Sequence, residues 1–278
     1  MTDSMDFMKM PTELGACTSV FGHRNALSAA KLAALATTGI PWIEIAALQA
    51  QHLNLFDDPR VQELAQAAAA LPLKVWSLHA PFCGLAMDDA DTRADGLRNL
   101  RQSIRVADRF GAVRVVVHPG RDVPSVNRQR ELAWLSDGLR QAAEELPGGM
   151  MLAVETMGPH SLAGPVEELI AVIDRQDPAR VGICFDSGHV HTGGDPAVVA
   201  RQLSGRIVSV HLHDNSGDRD AHALPGQGSI DWPACLAALF HAGYQGPWMS
   251  EAADEQLEPL DVVRQYQQKM APLLAGMA

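Results

Sequence analysis

Between Ile207 and Trp232 the chain reads IVSVHLHDNSGDRDAHALPGQGSIDW. Among the imidazoles and carboxylates of this run are His211, His213, Asp214, Asp220 and His222. The run starts as a short apolar strand with β-branched residues, Ile207 to Val210, and turns polar where that strand ends. Ionisable groups placed beside a core are costly unless something uses them. Neutral imidazole together with carboxylate suits a divalent cation such as zinc, manganese, cobalt or iron. The competing reading is a polar loop with incidental histidines.

The elements that must carry these residues follow from hydrophobic pattern and turn signals. Residues 14–21, 40–47, 74–79, 113–118, 150–155, 181–186, 207–210 and 247–251 read as strands. Residues 25–38, 57–70, 91–110, 128–146, 165–174, 196–203, 233–242 and 257–274 read as helices. The strands are near-continuous apolar runs, as in parallel sheets covered on both faces. Eight alternating units in this length predict an α/β fold, a single (β/α)8 TIM barrel. A doubly wound open sheet is the rival, but no glycine-rich phosphate loop follows the first strand. The expectation is one domain over residues 1–278, with 1–12 a flexible N-terminal extension.

Six consecutive strands end on a ligand-type residue: His79, His118, Glu155, Asp186, His211 and Glu251, with His189 just past the sixth. In a barrel those ends open onto one face, where active sites sit. Glu155, Asp186 and Glu251 would be unpaired buried charges if they did nothing. His79 and His118 taken singly could merely hydrogen-bond a loop. Glu44, ending the second strand, is open between substrate contact and local structure. His23, His52, His160, His191 and His241 fall off the pattern and are expected to serve surface or packing roles.

Composition bounds the rest. Hydrophobic residues are 47% and charged residues 20%, which supports a sizeable core and argues against disorder. The net charge of −11 argues against a broad nucleic-acid surface. Cys17, Cys83, Cys184 and Cys235 are widely spaced with no CxxC, and read as buried reduced thiols of a cytoplasmic protein. The first ten residues lack the basic flank and apolar run of a signal peptide, and no stretch approaches a membrane span of about 20 apolar residues.

The motifs LHAPF (78–82), VVVHPG (115–120), VET (154–156), FDSGH (185–189), VHLHD (210–214), PGQGSIDW (225–232) and SEA (250–252) span most of the chain. In that order the chain resembles the xylose isomerase-like TIM barrel superfamily, which holds sugar phosphate isomerases/epimerases, inosose-processing enzymes and the endonuclease IV group. The resemblance implies a metal site of Glu155, Asp186, His211 and Glu251. It implies an enediolate mechanism in which Glu155 and Glu251 are the acid/base pair, with His189 on a substrate hydroxyl. The nuclease-like relatives use three zinc ions, and this chain matches that extended set too: His79 and His118 join Glu155 at one position, while His189, Asp220 and His222 make another.

The function expected is therefore a metal-dependent sugar, sugar phosphate or keto-inositol isomerase or epimerase. The alternatives are an endonuclease IV-like multi-zinc phosphodiester hydrolase, a dehydratase or lyase of the same superfamily, and a non-catalytic relative. The acidic chain, the absence of Lys and Arg from residues 47–59, and Glu44, which would repel a phosphate backbone, weigh against nucleic acid. One tightly held ion is expected, Mn2+ first, with Zn2+, Co2+ or Mg2+ as alternatives. His79, His118, His189, Asp220, His222, Glu44 and His213 are then further metal or substrate contacts. The partner is a small carbohydrate, with homo-oligomerisation open; Arg121 and Arg219 are the candidates for a substrate phosphate.

Overall fold

The computed structural model describes residues 10–120 and 127–277. Its elements run β1 (Leu14–Cys17), α1 (Ala29–Ala36), β2 (Trp42–Ala46), α2 (Asp58–Ala69), β3 (Lys74–His79), α3 (Ala90–Arg109), β4 (Arg114–Val117) and α4 (Arg128–Ala143). They continue with β5 (Met151–Glu155), α5 (Val166–Ile173), β6 (Val181–Asp186), α6 (Ser187–His191), α7 (Pro196–Gln202), β7 (Ile207–His211), α8 (Trp232–His241), β8 (Trp248–Ser250) and α9 (Pro259–Ala275). All strand pairs are parallel, in the order β7-β6-β5-β4-β3-β2-β1-β8. The ring closes just past β7, where Leu212 bridges Ser250 and its amide donates to the Met249 carbonyl at 2.8 Å. This is the (β/α)8 TIM barrel that the sequence pattern predicts.

The period of two along each strand sorts the side chains. Glu155 and Asp186 face the interior at the mouth, so Ala153 and Cys184 lie one step deeper, where with Val116 they form a small apolar cluster. The alternate side chains, such as Leu152, Val154, Ile183 and Phe185, pack outward into the main core beneath the helices. The far end of the barrel is plugged by Trp42 and Trp76, edge to face at 5.6 Å, and Arg114 lies 5.0 Å over the Trp76 ring. Trp76 Nε1 donates across the barrel to Ser209 Oγ at 3.2 Å. One end is thus closed by rings, and all ionisable interior groups of the predicted set sit at the other.

Three elements differ from the sequence expectation. The first strand stops at Cys17, and Thr18–Phe21 form a 3-10 turn over the mouth. The cause is a long-range bond: Thr18 Oγ1 accepts from the Ala46 amide of β2 at 2.9 Å. The first helix starts at Ala29 because Ser28 Oγ accepts from the Lys31 amide as an N-cap. The short helix α6 was not anticipated; Asp186 caps it, accepting from the His189 amide at 2.7 Å. Of the expected flexible segment 1–12, residues 1–9 lie outside the described residues. Met10 is buried, however, and the Pro11 carbonyl accepts from Trp248 Nε1 at 2.8 Å, so that end is tied down. Among the described residues no helix is long and apolar enough to cross a membrane.

Candidate active site

Parallel strands deliver the ligand-type residues to one mouth. Glu155, Asp186 and His211 are the last residues of β5, β6 and β7, and Glu251 follows β8. His211 Nδ1 lies 3.2 Å from Glu155 Oε1, 3.4 Å from Glu251 Oε2 and 3.9 Å from Asp186 Oδ2. One donor atom from each of these four residues falls within 4.8 Å of all the others. His79 Nε2 and His118 Nε2 reach Glu155 Oε2 at 3.1 and 3.0 Å. His189 Nε2 and His222 Nε2 reach Asp220 Oδ2 at 3.3 and 3.0 Å. All nine residues of the extended ligand pattern are therefore brought together, and His79–His118–Glu155 and His189–Asp220–His222 form two further compact groups.

Tautomers follow from the carbonyls, which can only accept. His79 Nδ1 faces the Ala80 carbonyl at 3.1 Å, His189 Nδ1 the Thr156 carbonyl at 3.0 Å and His222 Nδ1 the Glu251 carbonyl at 2.9 Å. Each Nδ1 must carry the hydrogen, so each Nε2 presents a lone pair to a carboxylate unless the ring is protonated. In the ion-free protein the neighbouring carboxylates favour the protonated rings. Burial opposes each charge, but His118 and His211 hold Glu155 well below the usual carboxylate range, and His189 and His213 hold Asp186 low. Against the same burial, Asp186, Asp220 and Glu155 hold His189 well above its ordinary value, Glu155 raises His79, and Asp220 lifts His222 to about 9.

A cation could replace those protons. The donor set of imidazole and carboxylate is right for a divalent metal, and Glu251 Oε1 is buried without a hydrogen-bond partner. The residues present fit such an ion.

Two predicted site residues lie beneath the mouth. Glu44 is fully buried: His211 Nε2 donates to its Oε2 at 3.1 Å, and Ser77 Oγ donates to the same oxygen at 2.7 Å. It orients His211 from below, as carboxylates behind ligating histidines do, and presents no charge to an approaching phosphate. The sequence argument that Glu44 repels a nucleic-acid backbone is corrected on that ground. His213 is also fully buried; its Nε2 donates to Asp186 at 3.0 Å, and its ring stacks on His222 at 4.0 Å. A Cβ on Gly188 would come within 2.0 Å of that ring, so only glycine lets α6 start there.

The loop after β7 is organised by Asp214 rather than offering it as a ligand. Asp214 Oδ2 accepts from the Gly226 amide and from Trp232 Nε1 at 2.8 and 2.9 Å, and Oδ1 accepts from the Ile230 amide at 3.2 Å. A Cβ on Gly228 would meet the Asn215 carbonyl oxygen at 2.1 Å, which accounts for the second glycine of PGQGSIDW. His222 takes a left-handed backbone, φ 47°, and its carbonyl accepts from the Ala253 amide at 2.8 Å, binding this loop to the β8 end.

The mouth opens into a cavity of about 580 Å³. His79, His118, Glu155, His189, Asp220, His222 and Glu251 line its polar side. Val20, Phe21, Leu48 and Leu257 give it an apolar wall. His23, set aside in the sequence reading, lines it too; running the first strand on to residue 21 hid the turn that brings it there. His52 serves packing, bonding the Asn25 carbonyl and Thr18 Oγ1. Arg219 lines a neighbouring cavity of about 380 Å³ with Asp218, and Arg121 lies outside the described residues. The four cysteines are buried and unpaired.

The profile of the family described as xylose isomerase-like TIM barrel matches residues 32–273. A probable endonuclease 4 of Acholeplasma laidlawii is 29% identical over 187 residues, 60% of this chain and 63% of that protein. The chain thus spans less than two thirds of that relative's length. The L-ribulose-5-phosphate 3-epimerase UlaE of Shigella flexneri is 26% identical over 232 residues, 80% of this chain and 81% of that protein. The solved structure of the IOLI protein with a bound zinc atom superposes with a TM-score of 0.82 at 19% identity, over 95% of this chain and 98% of that one. At that identity the likeness speaks to the fold alone.

Proposed function

The chain belongs to the xylose isomerase-like TIM barrel family, and from that premise we propose that it is a metal-dependent isomerase or epimerase of a small ketose, sugar phosphate or keto-inositol. The observation that carries this reading is the pair Glu155 and Glu251. They end different strands, line one cavity, and both approach His211 Nδ1 within 3.4 Å. When bound, a divalent ion held by Glu155, Asp186, His211 and Glu251 would polarise the substrate carbonyl and its neighbouring hydroxyl; Mn2+ is favoured, with Zn2+, Co2+ or Mg2+ as alternatives. One glutamate takes the proton from the carbon next to the carbonyl and leaves an enediolate. The other returns a proton, to the opposite face of that carbon in an epimerase or to the adjoining carbon in an isomerase. His189, whose Nδ1 is tied to the Thr156 carbonyl, turns Nε2 towards a substrate hydroxyl. Val20, Phe21, Leu48 and Leu257 meet the C–H side of a sugar and exclude water from the reacting carbon.

A second reading, a multi-zinc phosphodiester hydrolase, draws support from the two additional groups His79–His118–Glu155 and His189–Asp220–His222. Against it stand the net charge of −11 and the acidic lip of Asp254 and Glu255. One experiment separates them. With divalent metal and a panel of ketoses and keto-inositols in D2O, the proposed enzyme exchanges deuterium into a carbon next to the carbonyl. Loss of water from the exchanging substrate would identify a dehydratase. Efficient nicking of abasic-site DNA with no exchange on any panel member would replace the proposal by the hydrolase.

A further inference from the structure

Cys17, Glu44 and Glu251 lie on three adjacent strands: Cys17 ends β1, Glu44 is the middle residue of β2, and Glu251 follows β8. Cys17 is in register with Glu44 across β1 and β2, and Ala16 is in register with Ser250 across β1 and β8, so the next step sets Cys17 beside Glu251. One donor atom from each of the three lies within 4.8 Å of the others, and all three residues are buried. Glu44 Oε1 and Glu251 Oε1 have no hydrogen-bond partner, so the thiol bonds neither oxygen. Cys17 Sγ accepts only weakly, from the Ser19 amide at 3.5 Å. Two buried carboxylates beside one thiol, each with an oxygen that is buried and unpartnered, is an arrangement that bare carboxylates do not favour.

Charge sharpens the point, and here the inference rests on the primary ion proposed above. Glu44, Glu155, Asp186 and Glu251 are all buried, and His211 lies between them. If His211 Nδ1 gives its lone pair to that ion, the ring is neutral, and Glu44 keeps only neutral donors, His211 Nε2 and Ser77 Oγ. Those four carboxylates then carry more negative charge than one dication offsets, with His79 and His189 the neighbouring imidazoles that also face them. A second dication bound to the orphaned oxygens removes the excess and completes both carboxylates.

We propose that Cys17, Glu44 and Glu251 form a second cation site, sharing Glu251 with the primary one. A thiolate beside two carboxylates suits a borderline ion, Zn2+ or Co2+, over Mg2+ or Ca2+. The thiol proton leaves to solvent as the ion enters. The site is distinct from the imidazole groups of the mouth, because none of those contains sulfur.

Cobalt reads this out directly. The metal-free full-length protein is titrated with Co2+ and followed by near-ultraviolet absorption and elemental analysis. The expected result is a thiolate-to-cobalt charge-transfer band that saturates at one thiolate per chain. Cys17→Ser and Glu44→Gln lose the band and hold one ion per chain fewer than the wild type. Glu155→Gln, which breaks the primary site, keeps the band. A protein carrying Cys83→Ser, Cys184→Ser and Cys235→Ser keeps the band, which assigns it to Cys17 even where Cys17→Ser fails to fold. A wild type without the band, or equal cobalt content in wild type and a cooperatively melting Cys17→Ser, overturns the site. A band that forms in a protein showing no deuterium exchange would leave this site standing and remove the proposed function.

Discussion

Glu155, Asp186, His211 and Glu251 stand at the ends of four strands with side chains at most 7% exposed, whereas Asp220 and His222 hang from the β7–α8 loop with about a third of theirs open to solvent. The first group is positioned by the hydrogen bonds of the sheet, and two of its members have further buried partners: Glu44, itself held by Ser77, fixes His211, and His213 fixes Asp186. The second group depends on Asp214, which folds its loop, and on the bond from His222 to the Glu251 carbonyl. Burial makes every charge in the floor matter more, because the local dielectric is low; at the rim, water screens the same interactions. The floor can therefore hold a reacting geometry, and the rim can adjust to what enters.

Breaking the floor should have the largest effect. On the proposed function Glu155→Gln and Glu251→Gln would each remove a ligand and a base, so turnover should fall by at least roughly a thousandfold with the fold intact. Near wild-type rates in either variant, measured on the true substrate, would show that the chemistry lies elsewhere. One step down, His213→Ala removes the donor that holds Asp186 and should weaken metal binding by about 10–100-fold in a chelator competition. Partial recovery in His213→Gln would separate a lost hydrogen bond from a lost ring. An unchanged affinity in His213→Ala would mean that Asp186 needs no such support.

The rim should respond less. His118→Ala and His222→Ala are expected to cost about 1 kcal/mol of substrate binding, roughly fivefold in KM or rate, while metal content stays at the wild-type value. Release of zinc from native protein by those two substitutions would instead make the rim a metal centre and favour the hydrolase. The smallest effect concerns pH. His222 has a folded pKa of about 9, above its unfolded value of about 6.5, so its pairing with Asp220 stabilises fully below about 6.5. That stability is lost as pH rises through about 9. Thermal melts of the metal-free protein should show this alkaline decline in the wild type and a shallower one in His222→Gln; equal slopes would deny the pair a role.

The strand ends were legible because polarity breaks an apolar run there: VVVH, MLAVE and VGICFD each end on the residue that the barrel turns to the mouth. Depth was not legible. Glu44 reads as ending its strand, yet β2 runs two residues past it to Ala46, and that position and the bond to Ser77 keep it beneath His211. His213 and Asp214 lie two and three residues after His211, but their partners, Asp186 and Trp232, are set by the packing of different segments. Cys17 carries no local signal at all; its neighbours Glu44 and Glu251 come from the strands on either side. Sequence spacing reports which end of a strand a residue occupies, and only the barrel's stagger reports its level.

His222 holds its ring at the mouth on a left-handed backbone, φ 47°, that costs a non-glycine residue about 1 kcal/mol or more. Glycine or asparagine would occupy that conformation more easily. A position open to improvement for folding is thus one whose improvement strips a side chain from the mouth. Selection of this chain on melting temperature alone would be drawn to that residue early, and its gains in robustness would be taken out of turnover.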